Sequence, residues 1–519
     1  MKLYLTLILG LTLSFWGNSQ SLSTYILNQN NAEAIISDGG VFFNNAGTNN
    51  HGYSVPAGSQ QNVMYALAFW YGGIDINGQL KLSAQNYANF NDQFKGPLTA
   101  DGTAEADQSG NWLTALFPVS QSEITTHLAN YTNAGYVPSS NIASWPAHGD
   151  LSLNQDYYLA PFVDVDGDGT YNPLAGDYPC IRGDEAVYVI MNDKGDIHES
   201  GGDPMGLEMH YMFYQYTGVP EISNTTFVSL KIINRGTQTI SDFKVSTFMD
   251  GDIGFYGDDY IGSDSSRNMM FFYNGDAFDE GGGGTLGYGD NPPAVGLVSL
   301  ANDFQSIGIA DASENSAVSF WRNMNGTDQN GSDWIDPISM GPTSYIFPAD
   351  PGDLTWPNSE VGLMTPVGDR RGVATIDIGT LVPFSEHTFD YAVIYNREDS
   401  AGNVNNASGL RNVADIVQEF FDTSFVDDCL YNNTLSLENT SKAEFSIFPN
   451  PSQGEFTISL AADFSNTQLE IVDISGRVVL SQLELTSKET SIQLNQPSGV
   501  YLLHLIVDGY KMTKRIILG

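Results

Sequence analysis

Apolar and polar positions alternate with a period of two through most of this chain, in short runs broken by Gly, Asn and Asp. Four such runs follow one another closely: Glu185–Asn192 (EAVYVIMN), Leu207–Tyr216 (LEMHYMFYQY), Thr226–Asn234 (TFVSLKIIN) and Phe243–Met249 (FKVSTFM). In the second run Leu207, Met209, Tyr211 and Phe213 fall on one face, and Glu208, His210, Met212 and Tyr214 on the other. Asn234-Arg235-Gly236 supplies a turn between two of the runs. Upstream, Val63–Tyr71 (VMYALAFWY), a Gly- and Asn-containing turn over 72–78 and the run QLKLSAQNY read as a hairpin with a buried aromatic strand. Further strands are expected around Val295–Leu300, Ala317–Trp321 and Thr388–Tyr395. Only Glu123–Asn130 (EITTHLAN) and Leu410–Phe421 (LRNVADIVQEFF) carry a helical pattern. The fold class predicted is mainly β, with an antiparallel β-sandwich body and few short helices.

The two ends of the chain read differently from the body. Lys2 followed by the apolar run Leu3–Trp16 and the small residues Gly17-Asn18-Ser19 has the form of a signal peptide over 1–19, too short for a membrane span of about 20 apolar residues. No later stretch reaches that length, so no transmembrane segment is expected in the mature protein. At the other end FSIFPNPSQGEFTISL, LEIVDISGRVVLSQ and IQLNQPSGVYLLHLIVDGYKMTKRIILG form three ordered units. The first holds a rigid turn at Pro449-Asn450-Pro451 with Gly454. The second is a hairpin turning at Asp473–Arg477, and the third is a strand opening at Ser498-Gly499 and ending at Lys511, Lys514 and Arg515. Together they closely resemble the type A C-terminal sorting domain of the type IX secretion system of Bacteroidetes. That resemblance implies a small immunoglobulin-like β-sandwich, recognition by the type IX machinery, and a secreted or cell-surface destination on the outer-membrane exterior. The expected organisation is a signal peptide (1–19), an N-terminal β-rich region (20–155), a central sandwich (156–430), a linker (431–442) and the sorting domain (443–519).

Charge narrows the partners. Of the formal net charge of −41, the residues after Ser441 contribute −2, from six basic and eight acidic side chains, so the rest of the chain carries −39. Such a surface repels phosphate backbones and anionic headgroups, which argues against nucleic acid, and it attracts cations. It also resists aggregation outside the cell. The only cysteines, Cys180 and Cys429, leave a disulfide and a pair of buried thiols both open.

The acidic residues are not evenly spread. Asp164-Val-Asp166-Gly-Asp168-Gly-Thr170 places carboxylates at positions 1, 3 and 5 of a tight loop, with Gly169 at position 6 and the Thr170 carbonyl at position 7. A calcium ion takes six to eight such oxygens. Ala175 stands where an EF-hand has glutamate, and Asp177 is the natural substitute. The alternative is an Asx-rich turn. A second group, Asp250, Asp252, Asp258, Asp259 and Asp264, follows a predicted strand and is a further calcium candidate with no standard spacing. His198-Glu199 and Glu208-x-His210 do not form the HExxH of zinc proteases, and are expected at the surface or the core edge.

The strings FWYGGIDINGQLKLSAQNY, SWPAHGD, APFVDVDGDGTYNPLAGDYP, GDEAVYVIMNDKGDIHE, GDDYIGSD, PPAVG and VGDRRGV occur in this order. They are similar to those of a widespread family of secreted Bacteroidetes proteins that carry the same tail, which implies export and a shared fold and brings no mechanism. No nucleophile motif or phosphate loop is present. The chain therefore reads as an exported, calcium-stabilised β-sandwich with a binding or structural role, its partners surface glycans or proteins. The rival is a secreted hydrolase acting on polysaccharide through paired carboxylates, which leave no local signature.

Overall fold

A computed structural model describes residues 22–424, except 46–49, 88–90, 108–111, 113, 283, 312–315 and 354, and, further on, 445–448, 452, 454–460, 467–473, 478–483, 489–497, 499–507 and 510–518. The expected signal peptide, the linker, Cys429, Ser498 and the turns at 449–451 and 474–477 lie outside these residues. The chain divides into two compact units, Met1–Leu435 and Ser436–Gly519. Among the described residues no helix is long and apolar enough to cross a membrane.

The principal strands of the first unit are β1 (Ala66–Ile74), β2 (Leu80–Ser83), β3 (Glu185–Asn192), β4 (Leu207–Gln215), β5 (Thr226–Asn234), β6 (Ile240–Asp250), β7 (Asp259–Asp264), β8 (Met269–Asn274), β9 (Ala294–Ser299), β10 (Ser306–Ile309), β11 (Arg371–Leu381) and β12 (Glu386–Asn396). Its longer helices are α1 (Gln121–Asn130), α2 (Ala317–Met324) and α3 (Asn403–Ser424). A nine-stranded sheet runs from Phe94–Lys95 through β3, β4, β5, β12, β9 and β8 to β7, with Leu116–Ser120 also on β3. A six-stranded sheet runs β10, β11, β6, β1 and Val41–Phe42, with β2 on β1. Residues 20–155 are thus not a body of their own. β1 is an inner strand beside β6, and its aromatic side chains are buried on both faces, so it needs a cover on each side.

The period-two pattern explains the layering. Met209, Tyr211 and Phe213 of β4 meet Leu67, Phe69 and Tyr71 of β1 and Phe243, Val245 and Met249 of β6 in one core between the sheets. The hydroxyls of Tyr71 and Tyr211 meet there at 2.6 Å, and Tyr211 donates onward to Gln93 Oε1 at 3.1 Å. The opposite face of β4, with Met212 and Tyr214, is buried in a second cluster where Tyr214 stacks on Phe227 of β5 at 5.3 Å. Helix α3 adds Leu410, Val413 and Val417 to that cluster from above β12, β9 and β8. On the outside of the smaller sheet Trp70 stacks on Phe248 at 5.3 Å and is met edge-on by Phe320 of α2 at 4.7 Å.

Helix α2 corrects the expectation of a strand at Ala317–Trp321. A short apolar run has no decisive period of its own. Here Ser316 and Ser319 form a reciprocal capping box, and Phe320 and Met324, one turn apart, are both buried. Burying each of those side chains contributes about 1.5–3 kcal/mol. Ser319 and Asn323 are buried on the same helical face, whereas an extended chain would turn them away from Phe320 and Met324. Helix α1 begins in the same way, with Glu123 N–H donating to Ser120 Oγ at 3.3 Å and Ser120 N–H to Glu123 Oε2 at 3.0 Å.

Because both faces of β4 are covered, Glu208 and His210 are buried, not at the core edge. Tyr188 and Glu208 flank the His210 ring, at 2.8 Å from Nδ1 and 2.8 Å from Nε2. A neutral imidazole that accepts from the phenol and donates from Nε2 fits both contacts. Burial holds its pKa below the ordinary value, which supports the neutral form. The charge partner of Glu208 is Arg235, at 2.7 Å, which also binds Asp156 at 2.8 Å. Leu98 N–H fills the other carboxylate oxygen at 2.8 Å. His198 is buried as well, its ring nitrogens facing the carbonyls of Leu82, at 2.7 Å, and of Asp193. Cys180 is buried and disulfide-bonded.

The second unit pairs Phe445–Phe448, Glu455–Leu460 and Glu489–Gln493 in one sheet, and Val478–Leu483, Thr467–Asp473, Gly499–Val507 and Tyr510–Leu518 in another. Phe456, Ile458, Leu469, Ile471, Tyr501, Leu503 and Leu505 alternate inward to form its core.

The Glu208 network yields a direct expectation. Burial alone would raise the Glu208 carboxyl, but the hydrogen bond from His210 and the bond and charge of Arg235 outweigh it and hold the pKa at about 2, against an ordinary 4.5. The stability this contributes is present above pH 4.5 and is lost as the pH falls toward 2. Glu208→Gln leaves the buried Arg235 guanidinium with the half-exposed Asp156 as its one charge partner among the described residues and should cost up to about 3–5 kcal/mol at neutral pH in urea unfolding. The difference from the parent should shrink on acidification.

Candidate functional site

Two carboxylate clusters stand out among the described residues, and they are built differently. The first is the loop expected from sequence. Asp164, Asp166 and Asp168 each offer an oxygen, all within 4.8 Å of one another. Gly167 and Gly169 take φ of +75° and +78°, a backbone that side chains rarely adopt, and this turns the loop sharply enough to converge alternate carboxylates. The loop is braced from within. Asp164 Oδ1 accepts from Gly167 N–H and Oδ2 from Gly169 N–H, each at 2.7 Å, and Asp168 Oδ1 accepts from Thr170 N–H at 2.7 Å. Asp177 closes it, with Oδ1 accepting from Val165 N–H and Oδ2 from Asn172 N–H, both at 2.8 Å. Both Asp177 oxygens are therefore engaged by the backbone, and its side chain acts as a clasp across the loop. Burial raises the Asp177 carboxyl, with Asp164 and Asp166 adding to the effect and the backbone bonds opposing it.

The second cluster lies where β6 ends. Asp250 pairs in register with Ala66 of β1 and with Arg371 of β11. One carboxylate oxygen from each of Asp250, Asp252 and Asp369 falls within a 4.8 Å set. Asp250 Oδ2 accepts from Arg371 Nε at 3.2 Å, and Asp369 Oδ2 accepts from Arg371 Nη2 at 2.6 Å. His51 Nε2 lies 3.1 Å from Asp252 Oδ2, and the His51 ring packs edge-on against Tyr65 at 4.9 Å. Oδ1 of Asp250 and Oδ1 of Asp252 are buried with no hydrogen-bond partner among the described residues, and so is Oδ1 of Asp259. Burial raises the Asp250 and Asp252 carboxyls, with Asp252 adding to the rise at Asp250 and Asp369 to that at Asp252, while Arg371 opposes both. Burial lowers His51 to about 4, which leaves it neutral at physiological pH.

Of the five aspartates expected here, Asp250 and Asp252 come together and Asp259 stands beside Asp252, while Asp258 faces Asp279. Asp259 Oδ2 accepts from Ile253 N–H at 3.0 Å, and burial raises Asp258 to about 7 with Asp279 adding to the effect. Asp264, at the far end of β7, is not among them. It meets Arg267 and Arg411, each at 3.1 Å, and Ser266 Oγ at 2.6 Å. Asp369, His51 and Arg371 were not expected. Arg371 and the neighbouring Asp369 reach the cluster through the pairing of β11 with β6, and His51 through packing of the N-terminal segment.

A cavity of about 360 Å³ adjoins the first loop, lined by Trp112, Phe117, Asp107, Asp150 and His148. His148 links the two. Its Nε2 accepts from Tyr171 N–H at 2.7 Å, and its ring stacks on Tyr157 at 4.1 Å, whose hydroxyl lies 3.0 Å from Thr170 Oγ1.

Comparison with known proteins identifies the tail. Residues 446–519 match the family described as Secretion system C-terminal sorting domain. The tail is a type IX sorting domain, and the chain is a secreted or cell-surface protein routed through that machinery. No curated protein matches the chain. Among solved structures, a polysaccharide lyase aligns at 8% identity and a TM-score of 0.19, over 60% of this chain and 34% of its own. Dimeric latent PorU from Porphyromonas gingivalis aligns at 12% identity and a TM-score of 0.15, over 64% of this chain and 31% of its own. The chain spans about a third of the length of each, and likenesses this loose bear on neither fold nor activity.

Arg371 is the cation that holds the β6 cluster together. Arg371→Gln should destabilise the chain by about 3–5 kcal/mol, because it leaves buried like charges unopposed. Adding Asp250→Asn should recover much of that loss in the same unfolding assay, since it removes the charge that Arg371 answers.

Proposed function

We propose that this protein is a calcium-stabilised β-sandwich that acts by binding, on the cell surface or in the surrounding medium, after export behind the signal peptide at 1–19. The observation that carries the reading is the convergence of Asp164, Asp166 and Asp168 within 4.8 Å on a loop with two left-handed glycines. Three carboxylates at that range repel one another without a cation, and calcium is suited to an all-oxygen shell completed by backbone carbonyls, including that of Thr170, and water. Asp177 is not among the three that converge, and it fixes the shape of the loop from alongside.

Through His148 and Tyr157 an ordered loop would also steady one wall of the adjoining cavity. Its indole and phenyl rings suit a sugar face, and the carboxylates of Asp107 and Asp150 suit hydroxyl donors. The acidic surface favours a neutral glycan over an anionic one.

The same cavity supplies the specific observation behind a second reading, a polysaccharide hydrolase using Asp107 and Asp150. Such chemistry needs one carboxyl with a raised pKa as acid. Asp150 instead accepts from Ser152 Oγ at 2.6 Å and from Ser152 N–H at 2.8 Å, and those bonds hold it below the ordinary carboxylate range. That state suits a fixed acceptor, so binding ranks first.

Calcium in hundredfold excess over its dissociation constant should stabilise the first unit by about 2.7 kcal/mol. The melting temperature of the full chain should fall with chelator and recover with Ca²⁺. Asp166→Ala with Asp168→Ala should remove the part of that shift due to the loop. A melt indifferent to both treatments would reduce the loop to an Asx turn. A neutral-glycan screen with and without Ca²⁺, on the parent and on Trp112→Ala, tests the binding role.

A further inference from the structure

We propose a second divalent-cation site at the end of β6, formed by Asp250, Asp252 and Asp369, independent of the Asp164 loop and taking a hard cation of the calcium type. The acidic residues alone would not carry this. The argument rests on how the two buried members are bonded. Asp250 is 1% exposed and Asp252 4% exposed, and each uses Oδ2 for a protein partner: Arg371 Nε at 3.2 Å and His51 Nε2 at 3.1 Å. Each keeps Oδ1 buried with no partner among the described residues. A buried oxygen of this kind forfeits its hydration for nothing unless something else binds it. Because Asp369 brings a third carboxylate into the same 4.8 Å set, one ion can meet all three groups.

Charge balance points the same way. Three ionised carboxylates and the Arg371 guanidinium sum to −2, which a divalent cation neutralises. Asp259 lies alongside, its Oδ1 also buried without a partner among the described residues. The donors are carboxylate oxygens, which select calcium, magnesium or manganese over softer metals. The nearest imidazole faces a carboxylate, the arrangement by which outer groups orient ligands. Calcium fits best, because the three donors sit on separate chain segments and a large, flexible shell tolerates that spread. Asp250 closes β6, Asp252 begins the loop after it, and Asp369 precedes β11, so a bound ion would tie these segments together at one corner of the smaller sheet. The rival occupant is a proton shared between Asp250 and Asp252.

The test uses the full chain carrying Asp166→Ala and Asp168→Ala, which silences the first loop. Calcium bound per chain is counted by equilibrium dialysis after chelator treatment, with Mg²⁺ and Zn²⁺ in parallel. Terbium luminescence sensitised by Tyr65 and Tyr87 reports on the site directly. One calcium should remain in the loop variant and should be lost when Asp252→Asn and Asp369→Asn are added. Should that combination fail to fold, Asp369→Asn alone replaces an exposed group. It should then weaken calcium by more than about tenfold, the scale reached even by outer-shell changes. Loss of all calcium in the loop variant, or equal binding with and without the added substitutions, overturns the second site. Neither result touches the proposal for the first loop, which stands on the parent chain's binding compared with the loop variant's.

Discussion

A carboxylate withdrawn from water must meet donors, a cation or a proton, and in a chain this acidic that constraint governs the design. Most of the buried acids meet it within the protein. Asp193 accepts from the backbone N–H groups of Met205, Gly206 and Leu207, at 2.6, 2.9 and 2.7 Å. Asp38 binds Lys95 at 2.8 Å and Ser23 N–H at 2.8 Å. Glu208 has Arg235, His210 and a backbone amide. Each of these groups fastens distant segments together, so the burial that threatens stability also fixes the fold. The end of β6 is where the same rule is only half met, and it is there that an outside cation has a place to go.

The two sheets explain why acids end up inside at all. β4 and β1 are buried on both faces, one against the facing sheet and the other in a separate apolar cluster, so alternation cannot sort polar residues outward. Polar side chains on such strands have to be paired inside the protein. His210 and Glu208 do this on neighbouring positions of β4. Where strands end, the geometry loosens and loops meet, and both acidic clusters sit at such places. The Asp164 loop lies between short paired segments at Phe162–Val163 and Tyr178–Pro179, and the second cluster lies where β6 meets β11.

What the sequence made legible was local. The strands with clear alternation, the helix around Leu410–Phe421 and the identity of the tail could be read because their signals lie within a few residues. Helix α3 begins earlier than its pattern suggested, at Asn403, where Gly402 at φ +80° turns the chain out of β12. The Asp164 loop was legible for the same reason, since positions 1, 3 and 5 of one turn must converge. The second cluster was only partly so. Asp264 was grouped with Asp252 by nearness in sequence, yet β7 carries it away to Arg267 and Arg411. Asp369 and His51 come from segments far apart in sequence, and only the pairing of β6 with β11 and the packing of the N-terminal segment bring them in. Ala317–Trp321 misled because a short apolar run fits either period until a cap decides it.

The central claim is that cations complete what the protein leaves unpaired at its acidic corners. The most direct measurement is long-wavelength anomalous diffraction from crystals of the full chain grown with calcium. Two peaks are expected, one ringed by Asp164, Asp166 and Asp168 and one between Asp250, Asp252 and Asp369, each about 2.3–2.6 Å from carboxylate oxygens. Ordered carboxylates with no peak at either place, and a short hydrogen bond joining Asp250 to Asp252, would contradict it.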